Sequence, residues 1–517
     1  MSDIVYRANL KASSFPFLSE LFGRSIIVKG PDQTAPIGKT DAGVTDSSNQ
    51  GVPQIYYCHN VIPSDNGYKS VGYSNVAAAP AGASTFVKVL RIVDSTGASA
   101  NLANDASGNL YVMETGTTTW ASGIAGAPAP ATISGKRMTV GVVSGTTYIY
   151  FSGVGGYFYD FTTNSFTAVT FSWDAPLTDA DILGITSNRG YLLVHTIDEV
   201  LWSSLVNPTD FVASLATGAG GGYLEEARGP LITIESIYGG FLVFTTNNVV
   251  SAIASDNTRF PYNFMEVTGA GGLSDPEYLS YDSNSNSVFA YTNAGIQQIS
   301  IKGATVVFPE VTDFLSGDVL EDYNETTDTM VTYSTNDVQL KKRIAVIASR
   351  YLIISYGTTS LTHALYYDLG YKQWGRLKVD HVDCFEFNRP NMETPKFNLC
   401  FVTAAGAIKS LYSDIGEHTA SNGVMLIGKL QYVRTRLLQL QEVEVENINV
   451  GSAFSLLDLP AADGKNFGAA LSGYLALSAG KYRKYLFHNT SMNHTLVFKG
   501  AWNAVSLVCT FNVAGSR

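Results

Sequence analysis

Several stretches of this 517-residue chain carry the residue types of a reaction centre or an ion site. Gln33-Thr34-Ala35-Pro36-Ile37-Gly38-Lys39-Thr40 ends like a phosphate-binding loop. Gln33 stands where a glycine must let the backbone wrap a phosphate, and Pro36 removes an amide donor, so a plain loop is expected. His381 and Cys384, with Cys400, offer ligands for zinc. If 379–387 is one strand, their odd separation sends His381 and Cys384 to opposite faces, where they cannot share a tetrahedral ion. Asp282-Ser283-Asn284-Ser285-Asn286 copies the start of a calcium loop. Ser287 and Asn293 replace the required Gly and Glu, so a polar turn before a strand at Val288 is expected. The acidic pairs Asp179/Asp181 and Glu225/Glu226 would suit glycoside hydrolysis only if two carboxylates converged from different loops.

Other catalytic signatures fail as well. There is no Gly-x-Ser-x-Gly nucleophile turn. The turn ending at Thr119-Trp120 has Thr115 and Thr117 where a sialidase-type repeat needs Asp and Gly. Glycine runs at 218–222 and 269–272 lack the spacing of a dinucleotide loop and read as irregular turns or close backbone contacts. No catalytic, cofactor-binding or metal-ligating residue is assigned, no cofactor is expected, and the chain reads as a non-enzyme.

What must position any site is a recurring apolar run. Leu110–Met113, Tyr148–Phe151, Tyr191–Val194, Phe241–Phe244, Val288–Tyr291, Tyr351–Ile354 and Leu399–Val402 start 38, 43, 50, 47, 63 and 48 residues apart. Consecutive apolar residues mark strands buried on both faces. A period of about 40–50 residues is that of propeller blades. The chain is therefore read as all-β, a propeller of about seven blades over 81–424. The long gap predicts an insertion near 312–325. Residues 1–80 read as a loop-rich interaction region, with a short helix over 17–22 capped by Gly23. From 425 to 517 alternation takes over: Val443 and Val445 oppose Glu442, Glu444 and Glu446, and Leu507, Cys509 and Phe511 share a face. That pattern predicts a smaller antiparallel β unit, or strands that close the propeller.

Composition agrees. Only 15% of residues are charged and 45% are hydrophobic, which excludes disorder and argues against a helical bundle. The net charge of −11 shows no basic face for nucleic acid, and the runs 341–343 and 481–484 read as solvated strand ends. The four cysteines are too few for a disulfide framework. No apolar stretch reaches the length of a membrane-spanning helix, and the start lacks a signal-peptide pattern, so folding in a cytoplasm is expected.

One set of stretches is more specific. Trp202-Ser203-Ser204, Asn207-Pro208-Thr209-Asp210-Phe211, Phe260-Pro261-Tyr262-Asn263-Phe264 and Gly269-Ala270-Gly271-Gly272-Leu273 follow in order. Tyr57-Cys58-His59-Asn60 with Gly67 and Gly72 opens the series, and His494 to Gly500-Ala501-Trp502 closes it. Together they resemble the tail hub, or nozzle, proteins of short-tailed bacteriophages, including those called packaged-DNA stabilisation proteins. The resemblance implies a structural virion protein of the tail, assembled in the host cytoplasm. It implies a hexameric ring below the portal and its head-to-tail adaptor, meeting tail spike, fibre or needle proteins. Packaged DNA would pass through the lumen without sequence-specific binding, be retained, then be released. A glycan-binding or adhesion propeller is the alternative, and a glycan hydrolase a lesser one.

Overall fold

The computed structural model describes residues 67–114, 116–257, 260–316, 341–386 and 399–411, with shorter strand segments inside 4–64, 319–334 and 423–516. The phosphate-loop candidate at 33–40 and the helix expected at 17–22 lie outside the described residues.

Seven antiparallel sheets succeed one another, each a blade whose strands run from the axis outward. Blade 1 holds Phe86–Val93, Ser99–Asp105 and Leu110–Glu114. Blade 2 holds Met138–Val143, Thr146–Phe151, Gly155–Asp160 and Ser165–Val169. Blade 3 holds Gly184–Asn188, Tyr191–His195, Glu199–Trp202 and Gly220–Tyr223. Blade 4 holds Leu231–Ile237, Gly240–Thr245, Val249–Ala254 and Tyr262–Glu266. Blade 5 holds Leu279–Asp282, Ser287–Thr292, Gly295–Ser300 and Gly303–Val306. Blade 6 holds Lys341–Ile347, Tyr351–Gly357, Leu361–Asp368 and Gln373–His381. Blade 7 takes Asp383–Glu386, Leu399–Val402 and Ile408–Leu411, and its outer strand is Tyr73–Ala77 from the other end of the chain. Each first strand touches that of the next blade, and blade 7 touches blade 1, so the ring closes as a seven-bladed β-propeller.

The apolar runs read from sequence are the second strands of blades 2 to 7, pressed between neighbouring blades; every residue of Tyr191–His195 and Gly240–Thr245 is buried. In blade 1 the run falls on the third strand instead, because the second, Ser99–Asp105, interleaves Asn101, Asn104 and Asp105 with its apolar residues. Two-residue turns at Ser144-Gly145 and Arg189-Gly190 hold both φ angles positive, which matches the twist of the strands they join. The connection between blades 5 and 6 is the expected insertion, wider than 312–325. It holds a helix, Pro309–Ser316, and the hairpin Val319–Asn324 with Thr329–Ser334. Val311, Phe314 and Leu315 sit at helical spacing and are buried in a core shared with blades 5 and 6.

Residues 1–80, read as loop-rich, include short strands that pair far along the chain. Ile4–Asn9 pairs with Asn503–Ser516, and Ile55–His59 pairs with Gly423–Gln431. The hairpin Val61–Ser64 and Gly67–Ser70 bridges blade 6, at Arg376–Val61, to Asn503–Ser516. These strands are short and pair with partners hundreds of residues away, so nothing local betrays them. The second β unit is thus woven from both ends of the chain. Its alternation is as read: Val443, Val445, Leu507, Cys509 and Phe511 are buried, and Glu442, Glu444 and Glu446 only partly so. Met425, Leu496, Phe498 and Trp502 join Ile344, Leu352 and Trp374 of blade 6 in one cluster, so the two units share a core.

Ser70 locks that junction. Its amide donates to the Trp502 carbonyl at 2.9 Å, and its Oγ accepts the Trp502 amide at 2.8 Å. Ser70→Ala leaves the buried Trp502 amide without its acceptor and should cost about 1–3 kcal/mol. The check is the midpoint of urea unfolding, which should fall; an unchanged midpoint would remove Ser70 from the joint.

Candidate functional site

The first strands begin at one end of the propeller axis, and there six blades contribute a polar side chain. Glu277, just before the first strand of blade 5, receives Lys88 Nζ of blade 1 at 2.7 Å and Arg343 Nη2 of blade 6 at 2.6 Å. Arg343 Nη1 lies 3.0 Å from Asp383 of blade 7 and also donates to the Val382 carbonyl. Asp383 accepts the Val89 and Cys384 amides at 2.9 Å each. Opposite, Arg137 of blade 2 reaches past blade 3 to donate to Thr233 Oγ1 of blade 4 at 3.1 Å. Glu235 lies two residues along the same blade 4 strand, half-buried. Blades 1 and 5 are not neighbours, nor are blades 2 and 4, so these contacts join blades that do not otherwise pack side by side.

Electrostatics divides the ring in two. Burial alone would raise Glu277, but Lys88 and Arg343 outweigh it and hold the carboxyl well below the usual range. Burial opposes the charge on Arg343, and Asp383 and Glu277 more than restore it. Burial pushes the Asp383 carboxyl up, yet its contacts with Arg343 and two amides are those of an ionised acceptor. The other half is less well paired. Arg137 is lowered by burial, against Glu277, Asp275 and Glu235, and among the described residues no carboxylate comes within ion-pair distance of it. His195 is driven down to about 4, first by burial and then by Arg137. Neutral His195 donates from Nδ1 to the Thr196 carbonyl at 3.1 Å. Its Nε2 and Arg137 Nε are both buried without a hydrogen-bond partner. Burial pushes Glu235 up to about 7, against the pull of Lys88 and Arg137.

The patterns singled out in the sequence go elsewhere. His381 and Cys384 do not share a strand: His381 ends blade 6 and Cys384 lies in blade 7. Both imidazole nitrogens of His381 are engaged, by the Val379 carbonyl and Ser355 Oγ, each at 2.7 Å. The four cysteines are buried thiols outside any disulfide, and no group of three metal-ligating residues occurs among the described residues. Asp282 caps its own turn, accepting from Asn284 and Ser285. Asp179 accepts Trp173 Nε1 at 2.9 Å and Asp181 caps Thr178, so that pair is tied into local structure. Glu225 and Glu226 are exposed.

The residues behind the family resemblance form three joints, not one site. Trp202 donates to the Gly218 carbonyl and meets Tyr262 of blade 4 at 5.9 Å between ring centres. Ser204 Oγ accepts the Val206 and Asn207 amides, Asn207 caps Thr209, and the Ser204 amide donates to the Asp210 carbonyl. Pro208 sits in this turn, and buried Phe211 packs on Trp173 at 4.8 Å. Pro261 is buried at the next corner, beside an exposed Phe260. Gly269 turns with φ +78°, while Gly271 and Gly272 press on Asn293 and the Thr246 backbone with no room for a Cβ. Gly500 and Trp502 lie at the second unit's junction with blade 6.

The axial ring went unseen in the sequence. Its one signal is a charge near the start of an apolar first strand, as at Lys88, Glu277 and Arg343, and such charges look like solvated strand ends; the reading of 341–343 as solvated is corrected at Arg343, which is buried and paired with Glu277 and Asp383.

Two outcomes are expected. Glu277→Gln leaves Lys88 and Arg343 facing a neutral amide and should cost about 2–4 kcal/mol, less than a wholly buried pair because the side chain is 26% exposed. Because the Glu277 carboxyl is depressed, this support is present above the ordinary glutamate range and lost as pH falls; thermal melts at pH 7 and pH 3 should show the variant's deficit shrinking in acid. Glu235 has the opposite sign. Its support is present below its ordinary value of 4.5 and lost as pH rises through about 7. Glu235→Gln should therefore gain roughly 1–3 kcal/mol on its parent between pH 5 and pH 8. Urea unfolding across that range checks it, and a flat difference would place Glu235 in open solvent.

No protein-family model matches the chain, and no curated protein matches it in sequence. Among solved structures it is similar to the extracellular domain of a putative hybrid two-component system from B. thetaiotaomicron. The likeness has 12% identity and a TM-score of 0.44, and covers 93% of this chain and 64% of that one. It is also similar to YCF48 from Cyanidioschyzon merolae, at 12% identity and TM-score 0.37, over 66% and 98% of the two chains. A third is the WD40 β-propeller domain of Doa1, at 8% identity and TM-score 0.38, over 66% and 98%. The chain spans just under two thirds of the first of these. The blade count rests on the strand pairing, not on these likenesses. No helix among the described residues is long and apolar enough to cross a membrane.

Proposed function

We propose that this chain is a structural subunit of the tail of a short-tailed bacteriophage, a hub or nozzle protein of the virion. The observation that carries the reading is where its resembling stretches fall. Residues 202–211, 260–273 and 500–502 are the corners that fix blades 3 to 5 and bind the second unit to the propeller. They serve rigidity, which a load-bearing ring needs, and they present no reacting group.

The axial ring refines the proposal. Lys88–Glu277 and Arg137–Thr233 tie non-adjacent blades together at their inner strands, which favours a DNA path outside the single propeller. The conduit would lie between copies, in a hexameric ring continuing the portal and its head-to-tail adaptor and meeting spike, fibre or needle proteins below. A subunit of net charge −11 would let DNA slide past its wall without gripping it. Retaining and then releasing the genome would be a mechanical act of the ring.

A second reading, an adhesion or glycan-binding propeller, draws on one observation. Tyr238 and Phe260, 84% and 63% exposed, sit on turns at the same end of blade 4, beside Leu205 and Val206 of blade 3. Exposed aromatic rings at one mouth are what a sugar-stacking surface offers.

Absolute quantitation of the chain by mass spectrometry in purified, DNA-filled particles separates the two. The hexameric tail ring proposed here gives about six copies per particle. Absence from particles would overturn the tail reading and turn attention to glycan arrays.

A further inference from the structure

We propose that the cleft between blades 5 and 6 binds an acidic sugar, a saccharide ring that bears a single carboxylate. The site goes beyond the tail reading and does not depend on it.

The cleft measures about 710 Å³, within the range of preformed small-ligand sites. It lies at the end of the propeller opposite the axial ring. Blade 5 supplies the turn at 282–285 between its first two strands, and blade 6 the turns at 348–350 and 369–372.

One wall is aromatic. Phe289 comes from the second strand of blade 5 and Tyr367 from the third strand of blade 6. Phe308 closes the wall where the chain leaves blade 5 for the insertion. It holds φ +53°, a conformation that bulky residues rarely adopt. Its ring is clamped by Tyr367 at 4.8 Å and Trp374 at 5.0 Å between ring centres. Strain of this kind persists only where the surroundings over-determine it, and it gathers at ligand sites.

The rim is polar, and most of its charge is already spent. Asp282 accepts the Asn284 and Ser285 amides and the Ser285 hydroxyl. Arg350 is held by Asp368 at 3.1 Å and lies over the rings of Tyr351 and Tyr371. Lys372 is exposed and has no carboxylate within ion-pair distance among the described residues. Asn284 Nδ2 donates to the Ser349 carbonyl at 2.7 Å and Gln298 Nε2 to Ser287 Oγ at 2.8 Å. Both amides are thereby oriented, and their oxygens accept no bond among the described residues.

These groups define a ligand. The two oriented oxygens call for hydroxyl donors, and the aromatic wall for the apolar face of a ring. The one unspent cation calls for one negative charge. A phosphate monoester, with nearly two charges, would leave one unmatched. A neutral sugar would leave Lys372 unused. A sugar carboxylate meets all three demands.

The test is binding of the full-length chain to an array of acidic and neutral oligosaccharides, then titration calorimetry with the tightest of them. Acidic members should bind, and their neutral counterparts about tenfold or more weakly. Lys372→Gln should weaken the acidic ligand about tenfold or more with the thermal midpoint unchanged. Lys136→Gln, at an exposed lysine beside blade 2, should leave binding as it was. Asn284→Trp puts an indole in the cleft and should remove binding; if that variant fails to fold, the surface variant Lys372→Gln decides. Binding lost in Tyr238→Ala but kept in Lys372→Gln would place the sugar at the mouth of blade 4 and overturn the proposal. An array on which no acidic member binds, or on which neutral sugars bind equally, would overturn it too.

Discussion

Everything in this molecule waits on one pairing, that of Tyr73–Ala77 with Ile408–Leu411. A propeller blade buries both faces only if it has a neighbour on each side, so an open ring would leave blades 1 and 7 with bare apolar faces. Here the two ends of the ring meet because blade 7 is made from both. Its core residues Cys400, Val402 and Ile408 share a cluster with Ala77, Phe86 and Tyr111, so closing strand, last blade and first blade bury one another. Trp120 adds a clasp, donating to the Gly406 carbonyl at 2.9 Å while packing on Phe86. The axial ion pairs act on the same closure from inside, since Lys88, Glu277, Arg343 and Asp383 come from blades 1, 5, 6 and 7.

The fold was largely legible and the axial ring was not. Burial on both faces leaves a local mark, runs such as Phe241–Phe244, and seven such marks at a near-constant period give the blade number. Half-burial leaves one too, in the alternation of Val443 and Val445 with their glutamates. Pairing between distant segments leaves none. Ile4–Asn9 meets a partner some five hundred residues on, and Tyr73–Ala77 is a short mixed stretch with no run or alternation to mark it. The axial residues were invisible for a related reason. Each is one charge in one repeat, and only ring closure turns six unremarkable positions into neighbours. His381 and Cys384 show the converse: close in sequence, they are divided by a blade boundary that a single-strand reading could not see.

The ring of charges is also uneven. On one side two cations and two carboxylates neutralise one another at 2.6–3.0 Å; on the other, Arg137 has no carboxylate within ion-pair distance among the described residues, and burial pushes Glu235 up to about 7. Both halves answer to pH, in opposite directions: the Glu277 pairs lose their support in acid, and the support of Glu235 is lost as pH rises through about 7. Rigid corners at Trp202–Phe211 and Gly271-Gly272 surround the axis, so its response is confined to a stiff frame.

Weaving the two ends together has a consequence for how the chain comes into being. Blades 2 to 5 are each built from contiguous sequence and can form in order as the chain emerges from the ribosome. Ile4–Asn9 finds its partner only once Asn503–Ser516, some five hundred residues further on, has been made. Until then its edge, and the apolar faces awaiting the second unit, stand open to neighbouring nascent chains, the circumstance in which multidomain proteins aggregate or swap segments. The second unit is therefore sealed only after all seven blades have been made, and loss of Asn503–Ser516 would leave Ile4–Asn9 without that partner.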